Sequence, residues 1–367
     1  MSAKVLSPRQ IVISLFAVTS FLTILPLRAA AQKDGDNFVY VMSNKRPENS
    51  IITYRRGSDG SLAFAHETVT GGSGTGPKGA DPLGSQDSLV LSGDGLVLLA
   101  VNAGSAEISV LGPRNGVLKL MSKTASGGAF PNSVALSSDL VYVLNSKGES
   151  PNITGFRLDP NGHLHWIATV NLPSGSAGAN DIRFAPDGSE LLVTVSGTNE
   201  ILVFPVASDG TAGSPVTQAS AGGSPFGIRF GHNSDAIISE AAGSISSYQL
   251  TGADTLSVIS GAVSDTQNAT CWISVPRDGK FALVSNTGSG TLSTYSIDAN
   301  GDVTLLNAMA ANPGGAPIDS ALSRDGKFLY VDESAQGKVL IFSVSGGSLV
   351  SIGSVSVPLG SQGVAAQ

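Results

Sequence analysis

The 367-residue chain has little charge, few aromatic side chains and almost no cysteine. Charged residues make up 13% of it, about half of the usual share in soluble proteins. Its 28 acidic residues outnumber its 21 basic ones, so the formal charge is -7. Because nucleic-acid binders present a basic patch or stripe, this balance predicts that nucleic acid is not a partner.

Cysteine is represented by Cys271 alone, so the chain cannot form an internal disulfide. Its stability must come from packing and strand pairing, as in proteins with a large core. Hydrophobic residues make up 41% of the chain, which excludes a disordered protein. Runs of helix-favouring residues are absent, whereas Gly (45 residues) and β-branched residues are abundant. This composition predicts an all-β protein with many tight turns.

Long apolar runs are confined to the N-terminus. Lys4 and Arg9 precede an apolar stretch at 11–27, and three alanines at 29–31 suit a cleavage site. This order predicts a signal peptide over residues 1–31 and export to the periplasm or the cell exterior. An uncleaved N-terminal anchor is the alternative, because the stretch is close to the length that spans a bilayer. No later run approaches that length, so we expect no membrane span after cleavage.

An internal repeat predicts the architecture. A turn of the Ser/Pro-x-Asp-Gly type joins two apolar strands, and an Asp-Gly or Asn-Gly turn, which suits a two-residue hairpin, joins two more. Four strands in each 40 to 50 residues are typical of a β-propeller blade. The first turn recurs at Asp94, Asp139, Asp187, Asp235, Asp278 and Asp325, and the second at 59–60, 115–116, 161–162, 209–210 and 300–301.

The second strand of this unit occurs seven times, at 39–44, 97–102, 141–145, 191–196, 236–240, 281–286 and 328–332. The sequence therefore predicts one seven-bladed β-propeller domain of four-stranded blades over residues 32–367. Blade 1 lacks its own first strand, and residues 357–366 resemble the start of blade 2 at 82–90. We expect the C-terminal strand to complete blade 1 and close the ring, since a propeller must hide its open edges. Stacked β-sandwiches are the alternative, but they predict no such completion.

The predicted site lies on one face of the ring. If the strands of a blade are named a to d in chain order, the d–a and b–c loops share one face, the loop face, and the tight a–b and c–d turns share the other, the turn face. Loops have room for a site and tight turns do not. Side chains that start a strands and end b strands should therefore form a polar, acidic rim around a central funnel, with few cations. Glu240, as general base, and Asp181 are the candidate catalytic residues. The candidate substrate-binding residues are Asn132, Asn180, Phe226, Cys271, Trp272, Asn286 and Asp319.

Each candidate also has a structural alternative. Asn at the end of a b strand commonly caps a turn, and Glu240 can be a solvated rim residue. Cys271 is more typical of a buried apolar residue than of a nucleophile, because no His is placed to activate it. Trp272 suits core packing as well as ligand stacking. Neither a zinc-binding pattern, a P-loop nor a nucleophile elbow is present, so we predict no metal and no cofactor.

Several stretches carry a resemblance to a known family, among them 39–44 (VYVMSN), 225–230 (PFGIRF), 269–275 (ATCWISV) and 316–331 (APIDSALSRDGKFLYV). They resemble the seven-bladed propeller lactonases, which include 6-phosphogluconolactonase-like and carboxymuconate-cyclising proteins. The resemblance extends over nearly all of the chain after residue 31. It implies an enzyme that hydrolyses a lactone in the central funnel.

The sequence departs from the family pattern at the usual basic positions. Where members carry Gly-Pro-Arg-His and Pro-His, this chain has Gly178-Ala-Asn-Asp and Phe130-Pro-Asn. Asn180, Asp181 and Asn132 thus replace basic residues, and an acidic rim disfavours an anionic lactone. We therefore expect the substrate to be a neutral sugar lactone or another small lactone. We also expect the protein to be a monomer. A non-catalytic propeller that binds a glycan or a protein partner is the alternative hypothesis.

Overall fold

The structure, a computed structural model, describes residues 1–2, 37–114, 116–252 and 254–367. The predicted signal peptide lies outside these residues apart from Met1 and Ser2, and so does Asn115 of one predicted turn. The described residues form 28 β-strands. None of them belongs to a helix with the length and apolar character needed to cross a membrane.

The strands form seven antiparallel four-stranded sheets, as the repeat predicts. Blade 1 contains β1 (Phe38–Met42), β2 (Ser50–Arg56), β3 (Leu62–Val69) and β28 (Val364–Ala366). Blade 2 contains β4 (Leu89–Leu91), β5 (Leu98–Asn102), β6 (Glu107–Arg114) and β7 (Val117–Ala125), and blade 3 contains β8 (Ala129–Ser137), β9 (Leu140–Lys147), β10 (Asn152–Leu158) and β11 (Leu164–Asn171). Blade 4 contains β12 (Ala179–Phe184), β13 (Glu190–Val195), β14 (Glu200–Pro205) and β15 (Val216–Ala219), and blade 5 contains β16 (Pro225–Phe230), β17 (Ala236–Glu240), β18 (Ser244–Thr251) and β19 (Thr255–Ser264). Blade 6 contains β20 (Thr270–Ser274), β21 (Phe281–Asn286), β22 (Thr291–Ile297) and β23 (Val303–Ala311), and blade 7 contains β24 (Ser320–Leu322), β25 (Phe328–Glu333), β26 (Lys338–Ser345) and β27 (Ser348–Ser356).

The C-terminal strand closes the ring. β28 is the innermost strand of blade 1 and pairs antiparallel with β1, with Val364 opposite Val41 and Ala366 opposite Val39. The innermost strands of successive blades contact one another all the way around, including β24 with β28 and β28 with β4. The predicted closure is confirmed, and the sandwich alternative is excluded.

The core lies between the blades. Second strands such as β5 and β17 are buried along their whole length, because each blade packs its two faces against its neighbours. The outermost strands are half-buried and expose large apolar side chains, among them Phe64, Trp166 and Val350. The apolar runs that predict the b strands therefore form the buried layer of each blade.

The turns between c and d strands differ from the predicted two-residue hairpin. In the c–d turn of blade 1 only Gly60 is left-handed, with φ +85°, and the N–H of Gly57 closes the loop by donating to the Ser61 carbonyl at 2.8 Å. The Gly60 N–H donates to the Gly57 carbonyl at 3.0 Å, so the loop is a type I turn followed by a left-handed glycine, and Asp59 Oδ1 accepts the Ser61 N–H at 3.0 Å. A Cβ on Gly60 would lie 2.3 Å from the Phe328 ring of blade 7, so contact between blades also requires glycine.

Candidate functional site

The loop-face end of the ring axis is filled by protein. Residues 70–88 connect β3 to β4, and four of them, 84–87, cross the centre of the ring; we call these four the axial segment. Ser85 Oγ donates to the Asn132 carbonyl of blade 3 at 2.6 Å, and Trp272 Nε1 of blade 6 donates to the Ser85 carbonyl at 3.0 Å. The Gln86 N–H donates to the Asn180 carbonyl of blade 4 at 3.1 Å. The axial segment therefore bonds to blades on several sides of the ring.

The Gln86 side chain connects the axial segment, which leads into blade 2, to blade 6 on the far side of the ring. Its Nε2 donates to the Ile273 carbonyl at 2.8 Å, and its Oε1 accepts the Ile273 N–H at 3.0 Å. A Cβ on Gly227 would lie 2.1 Å from the same Oε1, so blade 5 also approaches this side chain closely. The carboxamide thus occupies the space that an open funnel would leave to solvent.

The residues predicted to bind substrate are gathered around the axial segment, with one exception, and all are buried. Phe226 and Trp272 pack edge to face with ring centres 4.7 Å apart, in a cluster that includes Cys271. Asn180 Nδ2 donates to the Gly84 carbonyl at 2.7 Å. The exception is Asn286, at the end of a b strand. The predicted set, none of it more than 7% exposed, is Asn132, Asn180, Phe226, Cys271, Trp272, Asn286 and Asp319.

The Cys271 thiol is held protonated. Burial raises the pKa of Cys271, and the nearby Asp81 carboxylate adds to the rise. A buried thiol with a raised pKa is a weak nucleophile. Cys271 therefore acts here as an apolar packing residue, which is the alternative that the sequence left open.

Amide side chains at the ends of b strands stabilise the hairpins that follow them. Asn286 Nδ2 donates to Ser293 Oγ at 2.7 Å, and Asn102 Nδ2 donates to Ser109 Oγ at 2.8 Å. In blade 3, Asn145 Nδ2 donates to Asn152 Oδ1 at 2.9 Å. The capping interpretation of these residues accounts for their recurrence from blade to blade.

Glu240 occupies the same position in blade 5. Its Oε1 accepts the Gly222 N–H at 2.9 Å and the Ser246 hydroxyl at 2.5 Å, and Ser244 donates to Oε2. Burial raises the pKa of Glu240, while these hydrogen bonds oppose the rise. A Cβ on Gly222 would lie 1.7 Å from Oε2, so this glycine covers the carboxylate. A general-base role for Glu240 stays a prediction, and it requires residues 220–224 to move aside.

Asp181, the second predicted catalytic residue, lies inside the ring. Its Oδ2 accepts the Ile228 N–H at 2.9 Å, and its Oδ1 accepts the Ser133 hydroxyl at 3.0 Å. Burial raises the pKa of Asp181 well above its ordinary value; Asp87 adds to the rise, and two arginines oppose it. Arg229 Nη1 lies 3.9 Å from its Oδ2.

Arg183 and Arg229 are axial cations that the sequence analysis missed. Both donate to the carboxylate of Asp87; Arg229 Nη2 lies 2.8 Å from Oδ1, Arg229 Nη1 lies 2.9 Å from Oδ2, and Arg183 also bonds Oδ2. The signal was present as Ile-Arg-Phe in two adjacent a strands, at 182–184 and 228–230. Alternation along a strand puts Arg183 on the same side as Asp181. The acidic axis expected from the sequence therefore carries two paired cations.

Asp81 is a second feature that the sequence did not reveal. It lies in the long loop before β4, partly exposed on the loop face. Its Oδ1 accepts the Gly84 N–H at 2.7 Å and Gln362 Nε2 at 2.8 Å. Burial raises the pKa of Asp81 to about 6, against the lowering effect of these hydrogen bonds. It combines access to solvent with a pKa suited to proton transfer near neutral pH.

Two cavities of about 170 Å³ each lie on the turn face. Residues that line the first include Pro276, Arg277 and Arg324 from turns of blades 6 and 7. Residues that line the second include Asp87 and Arg183 from the axis. The turn face, expected to have little room for a site, therefore has concave surface. No three His, Cys, Asp or Glu side chains in the described ranges are arranged to hold a metal ion.

Comparison with known proteins finds similarity in structure alone: no protein-family profile and no curated sequence matches the chain. The periplasmic gluconolactonase of Pseudomonas aeruginosa is 17% identical with a TM-score of 0.73, over 90% of this chain and 99% of its own. A Bacteroides fragilis protein provisionally named 6-phosphogluconolactonase is 19% identical with a TM-score of 0.72, over 92% of this chain and 99% of its own. A Lactobacillus plantarum protein is 19% identical with a TM-score of 0.71, over 90% of this chain and 98% of its own. The chain thus has the seven-bladed fold of the 6-phosphogluconolactonase-like propellers that its sequence resembles.

Proposed function

We propose that this protein hydrolyses a lactone at the loop-face end of its axis. The observation that carries the proposal is Asp81, a partly exposed carboxylate whose pKa is raised to about 6 beside the axial segment. The shared fold with lactonase-type propellers supports the same reaction class. A carboxylate with this pKa is largely ionised at pH 7 and is basic enough to accept a proton from water.

In the proposed reaction Asp81 takes a proton from a water molecule while the oxygen of that water attacks the lactone carbonyl. The tetrahedral intermediate collapses when the bond between the carbonyl carbon and the ring oxygen breaks. The released oxygen takes the proton back from Asp81 and becomes a hydroxyl group. The product is the open-chain hydroxy acid, so atoms and charge balance. Gln362, which donates to Asp81 Oδ1, would orient the carboxylate. Glu240 and Asp181 remain proposed catalytic residues to be tested beside it.

The substrate we propose is a neutral sugar lactone. Arg183 and Arg229, the cations at the axis, are both paired with Asp87. These ion pairs hold both guanidiniums below the loop face, and the exposed part of Arg183 lines a cavity on the turn face, so neither cation is placed to hold a substrate phosphate or carboxylate beside Asp81. Asn132 and Asn180 stand where related propellers carry basic residues, which favours the same choice.

We also propose that the protein is exported as a monomer without a nucleic-acid partner. Residues 1–31 have the order of a signal peptide, and one protein of similar fold is periplasmic. The mature chain then begins at Gln32. N-terminal sequencing of the exported protein checks this boundary, and an intact Met1 contradicts cleavage.

The proposal is tested with a panel of neutral and phosphorylated sugar lactones, assayed by acid release and corrected for spontaneous hydrolysis. We expect turnover of a neutral lactone and a loss of about 10²- to 10⁴-fold in kcat/KM for Asp81→Asn. Asp278→Asn, on the turn face, is the matched control and should keep the wild-type rate. Equal rates for Glu240→Gln and wild type remove Glu240 from the mechanism, and the same comparison with Asp181→Asn decides the role of Asp181.

A non-catalytic propeller that binds a glycan or a protein is the second candidate. The observation that favours it is the packed centre, where Gln86 and Trp272 are each 1% exposed. A packed centre restricts small-molecule access and leaves the outer loops of the loop face as the binding surface. Turnover above the spontaneous rate with any lactone of the panel rules this candidate out.

A further inference from the structure

The second turn-face cavity is large enough for a small molecule. We call it the turn-face cavity; it lies beside the a strands of blades 2, 3 and 4 and has a volume of about 170 Å³. An apolar cavity of about 150 Å³ is large enough for a benzene ring. Arg183 and Asp87 are its charged lining residues, and its apolar walls include Val90, Val134, Leu136, Ile182, Phe184 and Pro186.

Arg183 has hydrogen-bonding capacity left over at this cavity. Its side chain is 35% exposed, although it starts from an inner strand. Its Nη1 donates to Asp87, and its Nη2 and Nε make no hydrogen bond to any residue that the structure describes. A guanidinium has five N–H donors in a planar fork. Most of the donors of Arg183 are thus available to a molecule in the cavity.

The charge balance around Arg183 also favours an anion. Arg183 and Arg229 share Asp87, and Arg229 already engages both oxygens of that carboxylate. Asp181, the next carboxylate, lies 3.9 Å from Arg229, and burial raises its pKa, which favours the uncharged form. Burial and the neighbouring Arg229 charge lower the pKa of Arg183, whereas Asp87 opposes this shift. A negative charge next to Arg183 would relieve the repulsion between the two guanidiniums.

We propose that the turn-face cavity binds a small carboxylate of about the size of benzoate. The carboxylate accepts two parallel hydrogen bonds from Arg183, the geometry that guanidinium and carboxylate groups favour. The apolar body of the ligand packs against Val90 and Leu136, the half-buried apolar residues of the lining. This site is on the face opposite Asp81, so the proposal does not depend on the proposed hydrolase activity.

The test is a titration of the full chain with benzoate, with its uncharged isostere benzamide as the ligand control, followed by saturation-transfer NMR and calorimetry. We expect benzoate to bind with a Kd of about 1 mM or tighter. Benzamide should bind about tenfold more weakly, because it lacks the charge that strengthens the bonds to Arg183. Failure of benzoate to bind the wild-type protein, or equal affinity for both ligands, overturns the proposal.

Three variants locate the site. Arg183→Gln removes the cation and Ser137→Phe fills the cavity from its edge; each should weaken benzoate binding by about tenfold or more. Arg277→Gln, at the separate cavity that Pro276 and Arg324 also line, should leave the affinity unchanged. If Arg183→Gln does not fold, Ser137→Phe decides alone, since Ser137 is half-buried at the end of β8. Wild-type affinity in the folded Ser137→Phe variant contradicts the proposal.

Discussion

A single amide side chain, that of Gln86, organises the centre of the ring. It hydrogen bonds both backbone groups of Ile273, a residue 187 positions away in the chain. Ile273 is completely buried, so water cannot replace these two bonds. Gln86 therefore helps to hold the axial segment in place and to keep the centre dry.

Gln86→Ala should lower the free energy of unfolding by about 2–4 kcal/mol, because it leaves one buried donor and one buried acceptor without partners. Urea denaturation followed by tryptophan fluorescence measures this loss. Gln249→Ala, at an exposed position of β18, is the matched control and should change stability by less than about 0.5 kcal/mol. Similar stability losses for the two variants would show that the Gln86 bonds are dispensable.

At the scale of elements, the inner strand of blade 1 comes from the other end of the chain. β28 supplies Val364, which is 5% exposed, to a blade whose other strands come from residues 38–69. β27, by contrast, is the outermost strand of blade 7 and exposes Val350 at 61%. The same residue type thus occupies a buried position on the innermost strand of one blade and an exposed position on the outermost strand of its neighbour.

Val364→Asp should destabilise the protein by about 3 kcal/mol or more, since it removes a buried apolar side chain and introduces a carboxylate without a partner. Val350→Asp should change stability by less than about 0.5 kcal/mol. The midpoints of urea unfolding compare the two variants. Equal shifts of the two midpoints contradict ring closure by β28.

The elements were predictable from the sequence because each blade repeats its own local signals. Turn residues and apolar runs fixed the seven b strands to within a few residues, and the likeness between 357–366 and 82–90 predicted β28. The interior of the ring was less accessible to sequence reasoning. The bonds of Gln86 to Ile273 join distant blades, and no local pattern encodes them. Burial of the predicted substrate-binding residues other than Asn286 follows from such contacts, since the axial segment covers them.

Asp81 and the two axial arginines were missed for different reasons. Asp81 lies in a long loop without a repeat partner, so nothing in the sequence indicated that its carboxylate would reach the axis. Arg183 and Arg229 lie within a strands, Arg183 two residues beyond the predicted rim residue Asp181 and Arg229 three residues beyond Phe226. Their shared Ile-Arg-Phe motif was a usable signal, because alternation places both on the inner side of the ring.

At the scale of the whole molecule, the two faces of the ring have different chemistry. The loop face has Asp81 beside a packed axial segment, and the turn face has cavities bordered by arginines. Asp87 lies between the two faces, because it belongs to the axial segment and binds Arg183 and Arg229 inside the ring. We therefore propose proton transfer on the loop face and anion binding on the turn face.

The most direct test of the proposed hydrolase is the pH dependence of lactone hydrolysis. If ionised Asp81 is the base, kcat/KM for a neutral sugar lactone rises with pH, because the active form is deprotonated. Since the pKa of Asp81 is about 6, the midpoint of the rise should fall near that pH. Initial rates between about pH 5 and 7, corrected for spontaneous hydrolysis, give this profile. We predict that wild type shows the rise and Asp81→Asn does not; a flat wild-type profile, or the same rise in Asp81→Asn, contradicts the account.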